Sequence, residues 1–294
     1  MSSFAAEVVD SINALSGEHR GHRAAHAKGT LLTGTFTPNA SGLTTAPHLQ
    51  EAPSRVTVRF SNGGGDPNIP DYAQEGRGMA TKFYLPDGGT TDIVALSLPL
   101  FFVRTPEDFH SFTLARQDPE KLMPDWLGAH PEALPGIQAA LGAEPPASYA
   151  TVTYNSIHSF RWIDAEGTAR FVRYRWEPEA GEQTLDREAA KERGRDYLQE
   201  EILARGESAF RLWVVIADES DPVDDPTVAY PDERERAEVG RLVLTGPETE
   251  REQGDDVLVF DPTRVVDGIE LSGDPILSFR SDAYRESVTR RTGA

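Results

Sequence analysis

Phe160-Arg-Trp-Ile-Asp-Ala-Glu-Gly-Thr-Ala-Arg-Phe-Val-Arg-Tyr-Arg-Trp176 holds two aromatic-rich runs on either side of Asp164-Ala-Glu-Gly167. The central four residues are a turn by composition, so the stretch reads as an antiparallel hairpin. Similar runs recur on both sides of it. Leu31-Leu-Thr-Gly-Thr-Phe-Thr37 and Arg55-Val-Thr-Val-Arg-Phe60 are β-branched and alternating, with polar and Pro/Gly turns between them. Met79–Leu85, Asp92–Leu98, Ala150–Trp162, Thr168–Trp176, Ala209–Ile216 and Val239–Thr245 complete the strand candidates. That count points to an α+β fold built on a closed or nearly closed antiparallel barrel.

Helical patterns flank and interrupt these strands. Residues 1–20 read as a short amphipathic helix ending near Ser16-Gly17, and Glu107–Arg116 and Pro131–Leu141 as two more. Asp186–Arg205 reads as one continuous helix, rich in Glu, Ala, Lys and Arg and stopped by Gly206. Asp218–Glu238 is acidic and proline-containing, a solvated loop that enters a short helix. With no internal repeat and no linker, residues 1–294 are expected to form a single domain.

Composition removes several function classes. Lys and Arg number 29 against 48 Asp and Glu, a net charge of −19, and the only lysines are Lys28, Lys82, Lys121 and Lys191. Such a surface repels phosphate backbones and anionic lipids, so neither nucleic acid nor membrane is an expected partner. The chain has no cysteine, which excludes disulfides, thiolate catalysis and thiolate-ligated redox centres. Met1–Asp10 lacks a basic leader pattern and carries acids within its apolar stretch, so a cytoplasmic location is expected.

Two constellations carry chemistry. Arg280, Tyr284 and Arg291 are spaced so that on a helix they project from one face. A tyrosine titrates near pH ~10, and a guanidinium one turn away favours the phenolate, an unusual metal ligand. Read alone, the same spacing also fits a packing tyrosine on a basic C-terminal helix. His26, in Arg23-Ala-Ala-His-Ala-Lys-Gly29, precedes the first strand and is a candidate general acid–base group. His19, His22 and His26 at i, i+3, i+7 form an alternative zinc-binding trio, weakened by Gly21. Gly63-Gly-Gly65 lacks the ending of a phosphate loop and reads as a turn.

Taken in order, the segments resemble the catalase family. Arg23–Gly29 resembles its distal-histidine motif and Val58-Arg-Phe-Ser61 its propionate-binding strand. Arg77–Tyr84, Asp92-Ile-Val94, Pro99–Arg104 and Phe109 follow in matching order, and Phe260-Asp-Pro262, Gly268-Ile-Glu270 and Arg280–Tyr284 resemble the proximal segment. The resemblance covers residues 20–115 and 150–291. It implies an eight-stranded barrel with haem b between barrel and C-terminal helix, and Tyr284 as axial ligand. It further implies that Arg280 stabilises the phenolate, that Arg23, Arg59 and Arg291 hold propionates, and that Phe109 stacks near the distal face.

Two departures qualify it. The family's distal asparagine falls at Leu96, which cannot hydrogen-bond a peroxide, while strand alternation turns Ser97 to the opposite face. The chain also ends soon after the proximal helix, so it resembles the smaller catalase-related peroxidases. The implied activity is reduction of hydrogen peroxide or an organic hydroperoxide by a small organic electron donor, with weak catalase turnover. A fatty-acid hydroperoxide-rearranging enzyme and a non-catalytic haem-binding protein are the alternatives, and a homo-oligomer is left open.

Overall fold

The computed structural model describes residues 3–248 and 258–293. Its strands are β1 (Gly29–Pro38), β2 (Ser54–Asn62), β3 (Arg77–Tyr84), β4 (Thr90–Leu96), β5 (Tyr154–Asn155), β6 (Phe160–Ile163), β7 (Ala169–Pro178), β8 (Ser208–Ile216), β9 (Arg236–Pro247) and β10 (Ile269–Leu271). They pair in the order β10-β6-β7-β5-β4-β3-β2-β1-β9-β8, and a further β7–β8 pairing closes the ring. All pairings are antiparallel. Eight strands form the closed barrel: β7, β5, β4, β3, β2, β1, β9 and β8. The predicted hairpin is the β6–β7 pair, with Gly167 at φ 81° in the turn.

Alternation assigns each strand residue to one side of the wall. In β2 the side chains of Val56, Val58 and Phe60 join the interior core, together with Phe36, Met79, Phe83, Trp176 and Phe210. Each such side chain, removed from water, contributes about 1.5–3 kcal/mol before entropy is counted. Arg59 and Ser61 therefore point outward, and register puts Ser61 across from Gly78 and Gly78 across from Leu96. Arg59, Ser61, Gly78 and Leu96 form an outer face of the barrel that is roofed by helices, so β2 is buried on both sides.

The helices are α1 (Phe4–Ser16), α2 (Pro106–Ala115), α3 (Pro119–Ala129), α4 (Leu134–Gly142), α5 (Arg187–Glu192), α6 (Tyr197–Ala204) and α7 (Pro275–Thr292). The long C-terminal helix α7 starts at a well-made cap, where Asp274 Oδ1 accepts from the backbone N–H of Ile276 and Leu277. It ends at Gly293, left-handed at φ 71°. Helix α1 packs against α7 and α2. Among the described residues no helix is long and apolar enough to cross a membrane.

Four expectations need correction. The strand expected over Ala150–Trp162 is broken, because the Ser156 hydroxyl donates to His158 O at 2.9 Å and accepts from Tyr174 N at 2.9 Å, replacing ladder bonds. The helix expected over Asp186–Arg205 divides into α5 and α6 at Gly194, whose φ is 105°. Pro131–Leu141 opens as a 3₁₀ turn (Pro131–Ala133) before α4. Asp218–Glu238 contains no helix: Asp221 and Arg234 pin the loop, and β9 begins at Arg236.

Candidate active site

A cleft of about 150 Å³ lies between the outer face of β2–β4 and the facing sides of α7 and α1. Of the residues predicted from sequence, Arg23, His26, Arg59, Arg280, Tyr284 and Arg291 all line it. They come from three separate parts of the chain.

His26 follows the turn after α1 and has a left-handed φ of 54°, a strained conformation for a residue with a Cβ. Several bonds enforce it. His26 N donates to Gly63 O at 3.2 Å, Arg59 Nη1 donates to His26 O at 2.9 Å, and Nδ1 is 3.0 Å from Ser61 Oγ. The triple glycine is thus a backbone brace for this histidine. Gly78 supplies the space for the ring, since a Cβ there would lie 3.0 Å from His26 Nδ1 and 2.7 Å from Ser61 Oγ. Enclosure by protein, reinforced by the positive charges of Arg59, Arg280 and Arg23, pushes the His26 pKa down to about 3. The imidazole is neutral at physiological pH. With Nδ1 engaged by Ser61, Nε2 is the nitrogen left for a ligand.

Opposite stands α7. Arg280 donates to Tyr284 Oη from Nε at 2.8 Å and from Nη2 at 2.5 Å. Its Nη1 lies 3.0 Å from His158 Nε2, and His158 Nδ1 lies 2.6 Å from Asp274 Oδ2. A guanidinium only donates, so His158 Nε2 accepts and Nδ1–H donates to the Asp274 carboxylate. Burial pushes the His158 pKa down to about 4 against the opposing pull of Asp274. The result is a hydrogen-bonded chain from a helix-capping carboxylate to the tyrosine oxygen. Asp274 and His158 were not singled out from sequence, and the Asp-Pro start of α7 was the signal for the first of them.

Phe109 does not line the cleft. It sits on α2 with its ring stacked on Phe101 at 6.2 Å, inside a satellite cluster with Phe102, Phe112 and Trp126. Leu96 does line the cleft, and Ser97 Oγ accepts from Arg77 N at 2.9 Å on the other side of the strand, as alternation required. The histidine trio does not form a metal site. Helix α1 stops at Ser16, His19 Nε2 donates to Ser16 O at 2.8 Å, and His26 is held at Ser61. Among the described residues the His/Asp/Glu group close enough to hold an ion is Asp108, His130 and Glu132, away from the cleft.

Among the described residues the lining is apolar except for four arginines, His26, Ser61, Tyr284 and Ser287, and contains no carboxylate. In a chain with net charge −19 that concentration of cations calls for an anionic ligand. A flat apolar group carrying two carboxylates and a metal, as haem does, fits this donor set: arginines for the carboxylates, a tyrosine oxygen for the metal, apolar walls for the ring.

Comparison with known proteins agrees. The family model for catalase matches residues 5–294. A catalase-related peroxidase of Mycolicibacterium paratuberculosis is 44% identical over 300 residues, covering 98% of this chain and 94% of that protein. One of Synechococcus elongatus is 33% identical over 298 residues, covering 97% and 88%. A crystal structure of a fungal catalase superposes with a TM-score of 0.81 at 27% identity, over 94% of this chain and 60% of that one.

Proposed function

The chain belongs to the catalase family, and from that membership we propose that it is a cytoplasmic haem b peroxidase that reduces hydrogen peroxide or an organic hydroperoxide at the expense of a small organic donor. The observation that carries the reading is a neutral imidazole, His26, and an arginine-held tyrosine, Tyr284, lining one cation-rich apolar cleft. Haem b, when bound, supplies the iron at which the peroxide O–O bond is cleaved. Tyr284 would be the residue that holds it, with Arg280 donating two hydrogen bonds to the tyrosine Oη. His158 and Asp274 hold Arg280 at that oxygen. Arg23, Arg59 and Arg291 would hold the haem carboxylates.

His26 Nε2, free to face the cleft, would take the proton from one peroxide oxygen and return it to the other, which would leave as water or alcohol. A base already neutral needs no prior deprotonation. Leu96 makes no hydrogen bond to a second peroxide, so the cleft favours donor oxidation over oxygen release. Both named relatives are peroxidases, which disfavours the rearranging enzyme, and a carrier has no use for a strained, braced histidine.

The test is a comparison of two rates on the purified holoenzyme. Hydrogen peroxide with guaiacol should oxidise the donor faster than peroxide alone releases oxygen. Rapid oxygen release with no donor oxidation would contradict the proposal.

A further inference from the structure

Gly63 O and Gly64 O accept from the backbone N–H groups of His26 and Ala27 at 3.2 and 3.0 Å, and so hold the left-handed φ of 54° at His26. The glycine run is held in turn by a carboxylate. Glu75, in the turn before β3, accepts from Gly64 N at Oε2, 2.9 Å away. Its side chain is only 14% exposed, and Oε1 lies 3.6 Å from Arg77 Nη1. The buried Arg77 fixes that turn by donating to the carbonyls of Glu75, Asp71 and Ala73 at 2.8, 2.7 and 3.1 Å. Burial raises the Glu75 carboxyl above its usual range, while Arg77 and the N–H groups of Gly64 and Gly63 draw it back towards the carboxylate. The run has no room for side chains: a Cβ at Gly64 would lie 2.8 Å from Glu75 Oε2, and one at Gly65 would overlap Ala24 O. Glu75 itself lies outside the cleft lining.

Resting on the peroxidase reading, in which His26 moves the peroxide proton, we propose that Glu75 is a positioning residue for His26: its carboxylate fixes Gly64, and the glycine carbonyls fix the strained backbone that aims the imidazole into the cleft. The link runs from Glu75 Oε2 to Gly64 N–H and from Gly64 O to Ala27 N–H, through hydrogen bonds of 2.9 and 3.0 Å. A histidine held at positive φ relaxes when its backbone partners let go, because the conformation is costly for a residue with a Cβ. Its ring would then leave Ser61 Oγ and the space above Gly78. What Glu75 supplies is reach: an acceptor oxygen at the full length of a glutamate side chain. An aspartate stops one methylene short of Gly64 N and keeps the charge beside Arg77.

Two substitutions separate reach from charge, Glu75→Gln keeping the acceptor and Glu75→Asp keeping the charge. Amide hydrogen exchange in the purified full-length protein, resolved to single residues by mass spectrometry, reads the backbone of His26 without any turnover. Exchange at His26 and Ala27 should quicken about tenfold or more in Glu75→Asp and stay within about threefold of the parent in Glu75→Gln, as expected for one lost hydrogen bond to a charged acceptor. Ser278, whose amide is bonded to Asp274 O in α7, should be unchanged. Gly64→Ala pushes on the same contact from the other side and should reproduce the exchange pattern of Glu75→Asp. With haem bound at parental content, Glu75→Asp should slow peroxide cleavage about tenfold or more, and Glu75→Gln should return most of that rate, the scale of a misplaced catalytic group. Parental exchange at His26 and Ala27 in both Glu75→Asp and Gly64→Ala, equal losses in the two Glu75 variants, or an equal acceleration at Ser278 overturns the positioning role. A parent that never cleaves peroxide defeats the peroxidase reading, and the exchange pattern still decides whether Glu75 holds His26.

Discussion

The two walls of the cleft are built on opposite principles. The wall bearing His26 is a β-sheet surface on which register fixes every neighbour: Ser61, Gly78 and Leu96 stand in one row, and a loop histidine is pressed against it by backbone bonds. The wall bearing Tyr284 is one helix, on which Arg280 and Tyr284 meet by i, i+4 spacing and are steadied from behind by His158 and Asp274. Each wall holds a neutral imidazole, lowered mainly by burial to about 3 at His26 and about 4 at His158. One faces the cleft and, in the proposed function, moves a proton. The other faces a guanidinium and keeps it in position. Under the proposed function this is a division of labour, in which the helix would retain the metal and the sheet wall would handle the peroxide.

Substitutions on the two walls should therefore fail differently. Tyr284→Phe removes the oxygen that Arg280 presents and should leave most of the protein without haem, read as the ratio of Soret to protein absorbance. Full haem content in that variant would break the division. His26→Ala should keep the haem and slow peroxide cleavage by roughly 10²–10⁴-fold in stopped-flow mixing, the usual range for a lost general acid–base group. A rate within a few-fold of the parent would remove His26 from the chemistry. Leu96→Asn should raise oxygen release about tenfold if it restores one hydrogen bond in the transition state, since ~1.4 kcal/mol is a factor of ten. Oxygen-electrode rates that do not move would show that the amide does not reach the bound peroxide.

These contrasts also explain what was legible in the sequence. Barrel and helix α7 declared themselves because β2 alternates cleanly through Val56-Thr-Val-Arg-Phe-Ser-Asn62 and because Arg280, Tyr284 and Arg291 share helical spacing. The relay behind Arg280 did not. His158 lies in a break between β5 and β6 that side-chain hydroxyls create, and a period-2 pattern over Ala150–Trp162 hides it. Helix α3 has no counterpart among the expected helices; it carries Pro124 in its interior and Pro119 in its first turn, where no N–H is needed. The helical composition of Asp186–Arg205 hides the corner at Gly194, where Lys28 Nζ donates to Arg195 O at 3.3 Å and to Asp196 Oδ1 at 2.6 Å. The role of Gly78 as a seat for His26 is a tertiary fact with no local signal.

The smallest effect concerns acid. His48 and His158 are buried and neutral, at about 3 and about 4, below the ordinary histidine value of ~6.5. As pH falls below ~6.5 the unfolded chain binds protons that the folded one does not, so stability declines towards pH ~4 and is fully present above ~6.5. The thermal midpoint should fall steadily over that window, and His48→Phe should flatten its slope. A midpoint constant between pH 7 and 5 would mean that these imidazoles titrate normally.

The visible absorption spectrum of the purified holoenzyme, recorded before and after one equivalent of hydrogen peroxide, tests the central claim most directly. The account predicts a ferric haem Soret band that shifts within the mixing time in the parent, the same starting band with no prompt shift in His26→Ala, and little or no band in Tyr284→Phe. A protein reconstituted with haem that shows no Soret band, or one whose band ignores peroxide, would contradict it.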